Sequence, residues 1–165
     1  AGKKVYFLQF MKAVGYSEHK ILPTLSENLT WKTLGKPFFI AKQGCISEEE
    51  LAQYGGSCVV FEEGRPPADY VQMIAEGFAE AKEIVSGGEY DLVVLDEINC
   101  ALFFGLVTTE QVLDLIRTKA EGTELVLTGR GVPQEIIDAA DLVTEMKEIK
   151  HYYQKGVEAR RGIEN

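Results

Sequence analysis

The chain has 165 residues, a net charge of −9, 45% hydrophobic residues and 26% charged ones. Those values suit one globular domain with a sizeable core. With no block rich in lysine or arginine, they exclude duplex nucleic acid as the main partner, because neutralising its phosphates needs a basic surface.

A single anionic ligand such as ATP stays open, since a local basic or backbone-amide pocket is enough to hold it. The cysteines, Cys45, Cys58 and Cys100, form no C-x-x-C pair. They point to a reduced, cytoplasmic protein, and no His/Cys cluster suits zinc. No apolar run is long enough for a transmembrane helix, and no signal-peptide pattern is present, so no membrane partner is expected.

The chain opens Ala1-Gly2-Lys3-Lys4 without an initiator methionine and goes straight into "VYFLQF". That run, rich in aromatic and β-branched residues, predicts a buried strand. The abrupt start points to residues upstream of Ala1, with processing or truncation as the alternative. Residues 11–34 read as loop with one short helix, and "KPFFIAKQG" as a short strand over 38–41. Ser47 and Glu50 stand at capping-box spacing ahead of a short helix that stops at Gly55. Val71, Ile74, Phe78, Ala81 and Val85 recur at helical spacing between Pro67 and Gly87-Gly88. A strand follows over 91–95, then a helix opened by Thr108 and Gln111, again at capping-box spacing. "TELVLT" (123–128) predicts a second buried strand. Pro133 starts a short helix ending near Ala140, and a last strand is predicted over 142–149. The alternation predicts one α/β domain with a mostly parallel sheet. In such sheets ligands sit beyond the carboxyl ends of the strands, here Gln9–Lys12, Asp96–Asn99 and Thr128–Arg130.

"YDLVVLDEIN" carries the strongest local signal. A buried parallel strand ending in Asp96 and Glu97 suits a hard cation such as Mg²⁺, which takes one or two carboxylates with phosphates and water. A strand-end acidic pair that caps the next segment is an equal alternative. Thr128-Gly129-Arg130-Gly131 offers close backbone approach and an arginine fork for phosphate oxygens, or is an ordinary turn with a solvated arginine. His19 and His151 are assigned to no catalytic role. Trp31, Phe38, Phe39, Phe103 and Phe104 are wall candidates for a large flat ligand, or core. The basic stretch 150–162 reads as a solvated tail or a contact to an anion. The phosphate-loop pattern G-x-x-x-x-G-K-[ST] occurs nowhere, because Gly35-Lys36 is followed by Pro37.

"YDLVVLDEINCAL", "LVLTGRG", "AADLVTEM" with a following "KH", and "KGVEARRGIEN" together resemble the P-loop class of ATP:corrinoid adenosyltransferases. The likeness runs from about Gly87 to Asn165 and is looser over 13–65. It implies a RecA-like P-loop three-layer fold whose first strand and phosphate loop would precede "AGKKVYFLQF". It implies transfer of the 5′-deoxyadenosyl group of ATP to a Co(I) corrinoid, releasing tripolyphosphate. By the same likeness, Glu97 and Asp96 are metal residues with Mg²⁺ as cofactor. Arg130 and, more weakly, Asn99 are nucleotide residues. Phe38 and Trp31 are corrinoid candidates, although Ile40 stands where the family often has tryptophan. A homodimer served by an electron-donating reductase is implied as well. The alternatives are a corrinoid- or nucleotide-binding protein without turnover and a generic P-loop ATPase.

Overall fold

A computed structural model describes residues 2–160 and 162–163. In chain order the first half holds β1 (Val5–Phe10), α1 (Glu18–Leu25), β2 (Leu29–Leu34), β3 (Phe39–Lys42), α2 (Glu48–Gln53) and β4 (Cys58–Phe61). The second half holds α3 (Ala68–Gly87), β5 (Leu92–Asp96), α4 (Ile98–Phe103), α5 (Thr109–Arg117), β6 (Glu124–Leu127) and α6 (Gln134–Ala139). A turn of 3-10 helix lies at Tyr152–Lys155. The main sheet is parallel throughout, in the order β2-β1-β5-β6, and β3 and β4 form a second, two-stranded parallel sheet. The fold is therefore α/β.

Alternation along the strands sorts the sheet into two faces. Tyr6, Leu8 and Phe10 of β1 point with Val93 and Leu95 of β5 into the core. There they meet Ile74, Phe78, Ala81 and Val85, the helical stripe of α3. The Tyr6 hydroxyl donates to Glu80 on the same helix at 2.7 Å, and Lys32 pairs with Glu80 from β2. The fit is close, because a Cβ on Gly77 would lie 2.2 Å from Leu34 Cδ1. α3 stops at Gly88, whose left-handed backbone (φ 69°) closes the helix.

The opposite face carries the row Trp31, Phe7, Val94, Val126 across β2, β1, β5 and β6. The first three are half-buried and Val126 is 42% exposed. α1 reaches this face on its β2 side, where His19 stacks on Trp31. Among the described residues, the helical cover expected of a three-layer fold is thus dense on one face and partial on the other.

Both predicted capping boxes are present, at Ser47/Glu50 and Thr108/Gln111. Four expectations need correction. Residues 11–34 hold a strand, β2, as well as a helix; Pro23 and the polar residues hide it, and its pairing along all of β1 creates it. β4 and α4 stand where no element is predicted, because four-residue strands and six-residue helices leave too short a periodicity to read. β6 forms but lies at the sheet edge, half-exposed rather than buried. The strand predicted over 142–149 is absent: the segment is irregular, with Leu142, Met146 and Ile149 at 86–94% exposure. An extended segment becomes a strand only when a neighbouring ladder satisfies its backbone groups, and no strand among the described residues pairs with it.

Candidate functional site

The two central strands end alike. Met11 directly follows β1 and Glu97 directly follows β5, and these are the described non-glycine residues with positive φ, at 62° and 61°. Side chains rarely adopt that backbone, and such conformations concentrate at functional sites. Both lie on the carboxyl edge of the sheet.

Three strand ends meet there through Asp96. Its Oδ2 accepts from Gln9 Nε2 at 3.1 Å and its Oδ1 accepts from the Thr128 hydroxyl at 2.7 Å. The Thr128 oxygen in turn accepts from the Glu97 N–H at 3.0 Å. Gln9 near the end of β1 and Thr128 just beyond β6 therefore fix a single carboxylate carried at the end of β5. The predicted convergence of Gln9, Asp96 and Thr128 is observed as direct contact.

Glu97 uses Oε2 to accept from the Cys100 thiol at 2.6 Å, one turn into α4. Burial, with the hydrogen bond to Glu97 adding to it, pushes the Cys100 thiol above its ordinary range, although the neighbouring Arg130 opposes the shift. The thiol thus remains a protonated donor and orients Glu97. Asn99 is buried and its Oδ1 accepts no hydrogen bond among the described residues. Its backbone N–H donates to the Thr128 carbonyl at 3.1 Å. Gly129 (φ 122°) packs so tightly on α4 that a Cβ would sit 3.0 Å from Asn99 Cβ and 3.1 Å from Cys100 N. Glycine is needed there both for its backbone angle and for the approach. Arg130 follows, exposed and with no side-chain ion pair among the described residues.

The site residues suit a hard divalent cation in one way and not in another. Among the described residues no group of three or more His, Cys, Asp or Glu side chains is placed to hold a metal ion. Two carboxylates, Asp96 and Glu97, are adjacent, a number sufficient for Mg²⁺ when phosphates and water complete its shell. The donor set fits a metal carried in with a phosphorylated ligand rather than a self-sufficient protein cage.

The two aromatic candidates part company. Phe38 packs edge-on against Tyr70, with centroids 5.4 Å apart, and lines a cavity of about 170 Å³ with Met11, Tyr16 and Lys36. That volume is below the roughly 300–1,000 Å³ of typical ligand sites. Trp31 lies on the partly covered sheet face against His19, and no ring contact joins it to Phe38 among the described residues. Sequence reasoning missed Cys100 and His19 as contributors. The signal for Gln9 was present, a polar residue inside the apolar run "VYFLQF".

The model of one family, described as ATP:corrinoid adenosyltransferase BtuR/CobO/CobP, matches residues 1–165. A corrinoid adenosyltransferase of Pseudomonas aeruginosa is 39% identical over 163 residues, which is 99% of this chain and 62% of that protein. One from a Sinorhizobium species is 38% identical over 95 residues, 57% of this chain and 44% of that protein. One from Escherichia coli K12 is 29% identical over 89 residues, 54% of this chain and 45% of that protein. The matched part is in each case less than two thirds of the relative's length.

Proposed function

The chain belongs to the ATP:corrinoid adenosyltransferase family, and we propose that the protein transfers the 5′-deoxyadenosyl group of ATP to a Co(I) corrinoid. The cobalt attacks C5′ of the ribose, a Co–C bond forms, and the C5′–O bond breaks to release tripolyphosphate. The nucleophile is the substrate metal, so the protein supplies binding, alignment and shielding from water rather than an attacking side chain. This agrees with a site that, among the described residues, holds carboxylates, an arginine and an unpartnered amide oxygen but no activated Ser, Cys or Lys.

The observation that carries the reading is the carboxyl edge itself. Asp96 is held by Gln9 of β1 and Thr128 beyond β6, Glu97 stands beside it in a strained backbone, and buried Asn99 Oδ1 waits for a donor. A ribose hydroxyl or the adenine amine of ATP supplies such a donor. Glu97 and Asp96 would hold Mg²⁺, whose charge neutralises the triphosphate and eases its departure. Arg130, in the turn beyond β6, would meet phosphate oxygens. Phe38 and Trp31 are assigned to the corrinoid side. Co(I) is reached by reduction from higher oxidation states, so an electron-donating reductase follows from the chemistry. The homodimer rests on the likeness to the family.

The RecA-like P-loop architecture is part of the same proposal. The outer edge of β6 is open among the described residues, and the apolar segment 142–149 lies unpaired. One additional parallel strand, leading into a phosphate loop, would pair with β6 and present its other edge to 142–149. A helix after that loop would cover the face of Phe7, Val94 and Val126.

Calorimetry with Mg-ATP tests the site. Glu97→Gln should weaken binding by about 1–3 kcal/mol, the range for losing a charged hydrogen-bonded partner. Unaltered affinity would remove Glu97 from the site. Turnover should release tripolyphosphate in step with a corrinoid absorbance change. Orthophosphate release that ignores corrinoid would identify an ATPase instead.

A further inference from the structure

His19 is buried at 7% exposure, and every hydrogen bond around it has one allowed direction. Asp96 is contacted by Gln9 at 3.1 Å, and an ionised carboxylate only accepts, so the amide nitrogen of Gln9 must face it. The amide oxygen of Gln9 then faces His19 and lies 2.7 Å from Nε2. That oxygen accepts, so Nε2 carries the proton. The other ring nitrogen, Nδ1, accepts from the Gly15 N–H at 3.1 Å. The imidazole is therefore the neutral Nε2–H tautomer, fixed from both sides. Two rings also pack against it: Trp31 stacks on it at 5.3 Å and 14°, and Tyr16 stands perpendicular to it at 5.8 Å.

The result is a continuous line, Trp31–His19–Gln9–Asp96, from the partly covered face of the sheet to its carboxyl edge. Gln9 is 1% exposed and at the centre of the line. An amide turned over at this position would set its oxygen against the carboxylate and its N–H₂ against His19. The Asp96 carboxylate opposes that from one side, where Gln9 also hydrogen-bonds Glu18, and His19 opposes it from the other by accepting nothing at Nε2. Hydrogen-bonded partners behind a ligand carboxylate set its orientation, and their loss weakens the site.

We propose that His19 is a positioning residue of the nucleotide site. It locks the Gln9 amide so that Gln9 aims the Asp96 carboxylate, and through its stack it links the environment of Trp31 to the occupancy of that site. The proposal rests on the reading of Asp96 and Glu97 as the Mg-ATP site. Nothing in it requires His19 to touch a substrate.

Trp31 is the chain's one tryptophan, so its emission reports on the line directly. The experiment is a titration of the complete protein with Mg-ATP, followed at once by calorimetry and by tryptophan fluorescence. The variants are His19→Leu, His19→Gln and Gln9→Leu. Gln at position 19 retains an N–H near the place of Nε2. In the wild type, Mg-ATP binding should shift Trp31 emission. His19→Leu should raise the Mg-ATP dissociation constant about tenfold, the low end for outer partners of a metal ligand. His19→Gln should recover most of that loss, which filling space alone would not do. Gln9→Leu should still bind Mg-ATP weakly but without the emission shift.

If His19→Leu binds as the wild type does, or if His19→Gln is no better than His19→Leu, the positioning role is overturned while the nucleotide site stands. A wild-type emission that ignores saturating Mg-ATP overturns the link to Trp31 without needing any variant to fold. If calorimetry detects no Mg-ATP binding to the wild type, the site assignment fails first and takes this proposal with it.

Discussion

The two faces of the main sheet are built from the same strands and have different tasks. On one face, Tyr6, Leu8, Phe10, Val93 and Leu95 are sealed under α3. On the other, Phe7, Val94 and Val126 stay partly open, while Gln9, Asp96 and His19 form a polar line beside them. The packed face has no freedom to rearrange, because interiors at crystal-like density transmit any change of volume. That rigidity keeps the ends of β1 and β5 in register and lets residues at two other strand ends, Gln9 and Thr128, meet the Asp96 carboxylate. The open face holds the directional hydrogen bonds, which orient groups more than they stabilise the fold. Stability and positioning are thus divided between the faces of a sheet only four strands wide.

Substitutions should reproduce that division in order of size. Phe78→Ala removes a ring at 6% exposure beneath the sheet. It should destabilise by about 3–5 kcal/mol in denaturant unfolding, the usual cost of deleting a core aromatic. Gly77→Ala overfills the same interface, since the new methyl would lie 2.2 Å from Leu34 Cδ1. The leucine end must turn, and a loss of about 1–3 kcal/mol is expected. Val126→Ala in residues 1–165 alone, where this face is open, should change stability by less than about 0.5 kcal/mol, as for an ordinary surface site. In the whole protein, a loss as large as that of Phe78→Ala would mean that something covers this face, as the additional helix of the proposed architecture would.

The smallest effect concerns pH. The Lys3 side chain, and then the Lys4 N–H, donate to Asp91 at 2.6 and 2.8 Å and hold its carboxyl below the usual aspartate range. The unfolded chain then binds this proton more readily than the folded one. The contribution is fully present above the ordinary aspartate value and is lost as pH falls through the lowered folded one. Asp91 is solvent-exposed in this pairing, so the change is small and screened by salt. Asp91→Asn should flatten that part of the acid limb in a pH series of thermal melts.

Much of the site is legible in the sequence. "LVVLDE" announces a buried strand that delivers carboxylates, and "LVLTGRG" a strand followed by a glycine turn with an arginine. The position of Asp96 and Thr128 at strand ends follows from chain order and parallel topology. Less legible is the work of residues whose role depends on what faces them. Gln9 is polar in an apolar strand, which marks it without naming its partner. His19, ten residues further on, gives no sign, because its meaning comes from Gly15, Gln9 and Trp31 meeting around one ring. Cys100 becomes a donor to Glu97 only because α4 begins directly after the strand.

By itself, the sequence determined the alternation of strands and helices, both capping boxes and the apolar stripe of α3, all set by local spacing and hydrogen bonding. It also determined the family. Tertiary structure decided which apolar runs become strands. β2 exists because β1 offers it a full ladder, whereas 142–149, with comparable apolar content, pairs with no strand among the described residues and stays irregular. The hydrogen-bond partners that assign the tautomer of His19 and the orientation of Gln9 also come from tertiary structure, because a hydrogen bond's direction is settled only when both partners are in place.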